Sequence, residues 1–136
     1  MGQVTARVIL RNAREVVMAQ LGHLADEQVR TYEAEALIDT GATRATLPPF
    51  VADQLGLVRL GRTEAQYADG RVEEGDTTEP FMVEIMGRQT GQVAMVLGTQ
   101  ILIGVTVLEE LDLWVDCRQQ RLHPNPAHPD QPVFRV

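Results

Sequence analysis

The stretch Ala36-Leu37-Ile38-Asp39-Thr40-Gly41-Ala42 decides how this chain is interpreted. From Val29 onward polar and apolar residues alternate, so that Ala34, Ala36 and Ile38 fall on one face of a predicted strand that leads directly into Asp39. An acid at a strand end, followed by a small hydroxyl residue and a glycine, presents a carboxylate on a tight turn. An ordinary turn is the alternative, because Asp and Gly are common after strands.

Period-two alternation dominates the rest of the chain and predicts a mainly β fold. Residues 14–21 are interpreted as a strand, because the run is β-branched and ends at Gly22, although a short helix is the alternative. The Arg11-Asn12 pair before it is expected to form a turn. The dipeptide Asp69-Gly70 predicts a hairpin. The predicted strands cover residues 4–10, 14–21, 29–38, 62–68, 71–76, 81–86, 93–97, 113–116 and 121–122.

Two short helices interrupt the strands. Residues 48–57 begin with proline, and Gly56 near their end suits a left-handed helix terminus. Thr106 and Glu109 have the spacing of a capping box, which predicts a second helix through Leu111. The fold class is therefore all-β with one or two short helices.

Composition limits the function. The 136 residues fit one domain, and 44% hydrophobic with 23% charged residues is ordinary globular composition. A net charge of −7 disfavours nucleic acid and anionic membranes as partners. We expect no membrane insertion and a cytoplasmic location, because neither a secretory signal nor a long apolar run is seen.

Metal and thiol chemistry is not indicated. A single cysteine, Cys117, rules out an internal disulfide and a Cys-rich zinc site. His23, His123 and His128 have no spacing of an ordinary metal site, so we expect no metal and no cofactor. Trp114 is expected in the core, and Glu79 is expected on a solvated acidic face.

Paired aspartates hydrolyse peptides by sharing one proton, so that one activates water and the other protonates the carbonyl oxygen. This chain supplies one half of such a pair at Asp39. No other aspartate precedes Thr-Gly or Ser-Gly. The second half must come from a second copy, related by a two-fold axis that runs between the two Asp39 side chains.

Taken together, these features resemble the retropepsin-like aspartic proteases, the retroviral proteases and their bacterial relatives. The resemblance covers residues 4–122, with 123–136 left as a proline-rich tail. The matching residues are Asp39-Thr40-Gly41-Ala42 with Thr46, the Ala68-Asp69-Gly70 hairpin where the family places its flap, and Leu102-Ile103-Gly104.

This resemblance implies a homodimeric acid-protease half built as a closed β-barrel. It implies that Asp39 is catalytic, that Thr40 braces the two active-site loops against each other, and that Gly41 lets the substrate backbone approach. Residues 133–136 are expected to form a terminal strand at the dimer interface. Thr43 departs from the aspartate that retroviral members often carry, and the flap lacks their glycine-rich tip.

We therefore interpret the chain as a homodimeric aspartic endopeptidase acting on a peptide or protein. A catalytically silent, dimeric peptide-binding or assembly module is the alternative. A monomeric β-barrel that binds a small molecule is a third hypothesis, in which Asp39 is only a turn residue.

Overall fold

The computed structural model describes residues 3–136, which form strands, three α-helices and one 3-10 helix at Asp26–Gln28. The helices are α1 (Ala13–Gln20), α2 (Pro49–Gln54) and α3 (Val105–Leu111). The strands are β1 (Val4–Asn12), β2 (Thr31–Ile38), β3 (Ala45–Leu47), β4 (Arg59–Gln66), β5 (Val72–Thr78), β6 (Phe81–Ile85), β7 (Arg88–Gln92), β8 (Ala94–Val96), β9 (Leu102–Ile103), β10 (Leu113–Asp116) and β11 (Arg121–Pro124). The mainly β class is thereby confirmed.

Nine strands form one sheet in the order β4-β5-β8-β3-β9-β2-β1-β6-β7, and β10 pairs with β11 in a second, two-stranded sheet. The long ladder runs from Val4 opposite Ile38 to Arg11 opposite Thr31. Within residues 3–136 the outer strands β4 and β7 do not pair with each other, so the expectation of a closed barrel is wrong. The reason is visible in β4, which is exposed along most of its length and has no apolar face on which to close.

The core lies where the alternating apolar residues of the central strands meet helices α2 and α3. Strands β1 and β6 place every second side chain inward, as the period of two requires. The largest fully buried apolar side chains are Val8, Leu10, Leu47, Val51, Leu55, Phe81, Val83, Ile85, Ile103, Val107 and Leu111. No helix in the described part of the chain has both the length and the apolar character that crossing a bilayer requires.

The strand prediction for residues 14–21 is wrong, because the segment forms α1. Strand β1 continues to Asn12, so the predicted turn at Arg11-Asn12 is also wrong. Asn12 is fully buried and caps the helix: its Oδ1 accepts from the Glu15 amide at 3.1 Å. Its Nδ2 donates to the Leu55 carbonyl at 2.9 Å. The cap therefore depends on a partner distant in sequence.

The helix predicted before Gly56 is confirmed as α2, with Gly56 at φ 65° and the Leu57 amide donating back to the Ala52 carbonyl at 3.0 Å. The helix predicted near Leu111 is confirmed as α3, but its capping box is wrong, because Gly104 and not Thr106 is the N-cap. The first amides of α3 donate to loop carbonyls, so no side-chain cap is needed.

Strand β11 extends the predicted 121–122 strand to Pro124, and the proline-rich tail beyond it is anchored by hydrogen bonds. Residues 133–136 form no strand within their own chain, and the terminal strand at a dimer interface stays a prediction. The Asp112 carboxylate accepts from Asn125 Nδ2 at 3.0 Å and from the Val133 amide at 3.2 Å, and it lies 2.6 Å from His128 Nδ1. The hydrogen bond from Asn125, followed by the contacts with His128 and Val133, holds the pKa of Asp112 below its ordinary value although burial opposes it.

Two glutamates that the sequence does not mark as special are buried in ion pairs. Glu15 accepts from the Arg30 amide at 2.9 Å and from the Arg30 guanidinium, which ties α1 to the start of β2. Glu79 accepts from Arg14 and from the Val58 amide at 2.7 Å. The expectation of a solvated Glu79 is wrong, because Glu79 is buried and its carboxylate pairs with the partly exposed guanidinium of Arg14.

These contacts make the free energy of unfolding depend on pH. The Arg30 hydrogen bonds lower the pKa of Glu15 below 4.5, and those of Arg14 do the same for Glu79, although burial opposes both shifts. Because each folded-state pKa is depressed, the stabilisation is complete above pH 4.5 and is lost as the pH falls through the folded value.

We predict that Glu15→Gln lowers the free energy of unfolding by about 1–2 kcal/mol at neutral pH. Its difference from wild type should shrink as the pH falls below 4.5, since protonated Glu15 resembles glutamine. Urea unfolding at several pH values measures this. The control is Glu33→Gln, whose pair with Arg7 is exposed and should contribute less than about 0.5 kcal/mol. An equal loss at every pH would contradict the ion-pair explanation.

Candidate active site

Asp39 lies at the carboxyl end of β2, and the parallel neighbour β9 fixes its position. The Leu37 amide donates to the Ile101 carbonyl and the Asp39 amide donates to the Ile103 carbonyl, both at 2.9 Å. These two backbone hydrogen bonds therefore fix the point at which Asp39 leaves the sheet.

The loop that follows Asp39 forms a tight turn. The Ala42 amide donates to the Asp39 carbonyl at 3.1 Å, which closes a tight turn. The Gly41 amide donates to Asp39 Oδ1 at 2.9 Å, so one carboxylate oxygen is held by the loop itself. Asp39 and Ala42 are half-buried, whereas Thr40 and Gly41 are exposed. A side chain at Gly41 would begin 3.2 Å from Asp39 Oδ1, so glycine leaves room for the carboxylate.

Gly104 lies where a second loop crosses the first. The Val105 amide donates to the Ala42 carbonyl at 2.8 Å, and the Thr106 amide donates to the Thr43 carbonyl at 3.3 Å. A Cβ atom on Gly104 would meet the Ala42 and Arg44 carbonyl oxygens at 2.7 and 2.8 Å. Only a residue without a side chain allows this approach.

The other predicted residues near the loop lie beside it. Thr46 of β3 is paired with Leu102 of β9 on one side and with Met95 of β8 on the other. Ile103 is fully buried in the core. The structure thus gathers the residues predicted for the Asp39 neighbourhood on adjacent strands and loops: Thr40, Gly41, Ala42, Thr46, Leu102, Ile103 and Gly104.

The predicted hairpin around Asp69-Gly70 is confirmed between β4 and β5. Its tip is a three-residue loop of Ala68, Asp69 and Gly70, closed by the Tyr67 amide donating to the Arg71 carbonyl at 2.8 Å. Gly70 takes φ 89°, as the last position of such a loop requires. These closing hydrogen bonds stay within the hairpin, and those that Asp69 accepts come from Arg71.

A cavity of about 570 Å³ borders the exposed side of the Asp39 loop. Thr40 forms part of its wall, α3 contributes Val105 and Leu108, and β10 contributes Trp114. The expectation that Trp114 is a core residue is wrong, because its side chain is 51% exposed. Neighbouring residues of a strand face opposite sides, so a buried Leu113 implies an exposed Trp114. This alternation is the signal in the sequence that predicts the exposure of Trp114.

No metal-binding cluster of three or more His, Cys, Asp or Glu residues occurs among residues 3–136. Cys117 is exposed on the turn between β10 and β11.

The model of the gag-polyprotein putative aspartyl protease family matches residues 25–110, which include the Asp39 loop, the β4–β5 hairpin and Gly104. More than half of the chain is covered, so the chain belongs to this family of aspartyl protease domains. A search of curated proteins finds no match.

The crossing at Gly104 makes a prediction about the loop. Gly104→Ala should lower the free energy of unfolding by about 1–3 kcal/mol, because the new methyl group overlaps two backbone carbonyls that cannot move independently. Thermal and urea unfolding measure this. Gly61→Ala is the matched control, since no atom lies within 4 Å of a Cβ placed there. Equal stability of the two variants would show that the loops do not depend on this contact.

Proposed function

We propose that the protein is an aspartic endopeptidase whose catalytic pair is assembled from the Asp39 residues of two identical chains. The observation that carries this proposal is the Asp39 loop, in which Oδ1 accepts from the Gly41 amide while Thr40 and Gly41 face solvent. Family membership supports the same class of chemistry.

Peptide hydrolysis by this pair needs water and no other reactant. The ionised carboxylate takes a proton from water while the oxygen attacks the peptide carbon, and the protonated carboxyl gives its proton to the carbonyl oxygen. The tetrahedral gem-diol then collapses and the C–N bond breaks: the amine leaves with a proton from the carboxyl that took it from water, and one hydroxyl of the gem-diol returns its proton to the other carboxylate, which restores the pair. The rate should therefore follow a bell-shaped pH profile.

The need for two chains follows from the number of aspartates in the active-site sequence pattern. Asp39 is the one aspartate of the sequence that precedes Thr-Gly or Ser-Gly, so a single chain supplies half of the pair. An isologous contact places a residue near the two-fold axis against its own copy. In this arrangement Thr40, which is exposed next to Asp39, braces the loop of the other chain.

The β4–β5 hairpin is proposed as the flap over the substrate. It rests on the sheet through Asp76 and Thr77, which pair with Val96 and Met95, while residues 60–64 and 72–74 are exposed. A hairpin supported at one end can bend at low cost, as a cover that opens and closes must.

The silent binding module shares the fold and differs only in turnover, so an experiment on Asp39 separates the two. We predict that Asp39→Asn abolishes cleavage of a mixture of unfolded peptides, followed by mass spectrometry, because asparagine keeps the shape and removes the ionisable group. Asp26→Asn, on the exposed 3-10 helix, is the matched control and should keep full activity.

Mixing tests the two-chain pair. A growing excess of Asp39→Asn chain should remove wild-type activity, because each mixed dimer holds one ionisable partner, whereas excess Asp26→Asn chain should not. Activity that survives in purified Asp39→Asn protein would contradict the mechanism. Activity that is unaffected by excess mutant chain, with exchange of chains verified, would contradict the shared pair.

A further inference from the structure

Strand β2 has a neighbouring strand along its whole length on one side only. On that side β1 pairs with all of it, from Thr31 to Ile38. On the other side the neighbour is β9, which contains two residues and pairs with Leu37 and Ile38. Within residues 3–136, residues 31–36 therefore have no strand beside them on the side away from β1. We call this side of residues 31–36 the free β2 edge.

The backbone groups at the free β2 edge belong to odd-numbered residues. Amides along a strand point alternately to its two sides. The Leu37 amide donates to the Ile101 carbonyl at 2.9 Å, away from β1, so the amides of Glu33 and Glu35 point the same way. In the described part of the chain these two amides have no backbone hydrogen-bond partner. They are available to a strand that is added from outside.

A cavity of about 270 Å³ lies along this edge. Its lining combines residues 34–37 of β2 with residues 99–101, which precede β9, and with the start of α2. Tyr32 of β2 and Phe50 of α2 also line it, and their rings meet edge to face with centroids 6.3 Å apart. Phe50 is 51% exposed, so the fold leaves this apolar wall partly open to solvent. The lining includes none of residues 39–42, so this cavity is distinct from the Asp39 loop.

The two faces of β2 at this edge differ in chemistry. Tyr32 and Ala34 pack against the core on one face, whereas Glu33 and Glu35 are exposed on the other. Glu33 pairs with Arg7 at 3.1 Å, but Glu35 has no ion pair among residues 3–136. Because side chains alternate between the faces of a sheet, an added strand would place every second side chain beside the aromatic pair and the others beside Glu35.

Charge decides which strand suits the free β2 edge. A second copy of β2, with its apolar side chains facing the core, would set its own glutamates beside Glu33 and Glu35, and like charges on neighbouring strands are destabilising. Lys or Arg at those positions would be attracted instead, and the net charge of −7 also favours a basic partner. We propose that the free β2 edge binds, as an added strand, an extended segment of a partner protein in which Lys or Arg alternates with apolar residues. This binding site does not depend on the proposed catalytic pair.

The probe is a hexapeptide of alternating Lys and Val with both ends blocked. We predict that this peptide slows hydrogen exchange at the Glu33 and Glu35 amides of the wild-type chain, which NMR measures residue by residue. The amides of Ala34 and Ala36 should exchange slowly with and without peptide, because they already face β1. The same peptide with Glu in place of Lys should bind at least about tenfold more weakly. A Lys-Val peptide with methylated backbone nitrogens keeps the charge, but it should give no protection because it cannot pair as a strand.

A charge reversal at the edge tests the recognition. Glu35→Lys should raise the dissociation constant of the Lys-Val peptide at least about tenfold and should reverse the preference in favour of the Glu-Val peptide. Glu27→Lys is the matched control, because it makes the same change of charge on the exposed 3-10 helix, outside the cavity. It should leave the preference unchanged. The exchange measurement on the wild-type chain needs no variant, so an unfolded Glu35→Lys protein does not remove the test.

Four results would overturn the proposal. Protection of Glu33 and Glu35 that appears without peptide and grows with protein concentration would show that a second copy occupies the edge. Peptide-dependent protection confined to residues 39–42 and 66–75 would show that the peptide binds only as a substrate. Equal affinity for the Lys-Val and Glu-Val peptides would contradict the role of charge, and unchanged exchange up to about 1 mM peptide would contradict binding itself. The Asp39→Asn chain should show the same protection as wild type, so failure of this site and failure of the catalytic pair are observed separately.

Discussion

The contact on which the candidate site depends is the crossing of two backbone loops at Gly104. The Asp39 amide and the Ala42 carbonyl are both bonded to the segment that runs from Ile103 to Val105. A Cβ at the crossing point would approach backbone oxygens to 2.7 Å, so the loops pass each other at a distance that only glycine allows. The position of the carboxylate is thus set by main-chain geometry and not by side-chain packing.

The same crossing links the carboxylate to the rest of the molecule. Helix α3 starts at Val105, directly after Gly104, and its first amides are satisfied by the Ala42 and Thr43 carbonyls. The buried face of α3 carries Val107, Leu108 and Leu111 into the core. Stability of the core and position of Asp39 are therefore coupled through one short helix, which also forms a wall of the cavity beside Thr40.

Several elements of the fold can be predicted from local patterns in the sequence. Period-two alternation predicts β2, and Asp69-Gly70 predicts the β4–β5 hairpin. The proline and glycine near the two ends of residues 48–57 predict α2. Each of these depends on residues close together in the chain. The same holds for the Asp39 turn, whose hydrogen bonds with Gly41 and Ala42 span at most three residues.

The wrong predictions concern residues whose surroundings are formed by segments far away in the sequence. The pattern of one segment does not show such partners. Helix α1 depends on Asn12, whose other hydrogen bond goes to Leu55, 43 residues away. Glu79 is buried because Arg14, 65 residues away, compensates it. The apolar neighbours of Trp114 predict a core position, but β10 lies in a two-stranded sheet in which Trp114 remains half exposed.

We propose that two copies of Asp39 form one catalytic pair. A crystal structure of the protein grown from dimer-containing solution tests it most directly through the distance between the two Asp39 carboxyl groups. We expect carboxyl oxygens about 3 Å apart across a two-fold axis, close enough to share a proton. A dimer in which the two carboxyl groups lie more than about 6 Å apart would contradict it, because no proton can then be shared.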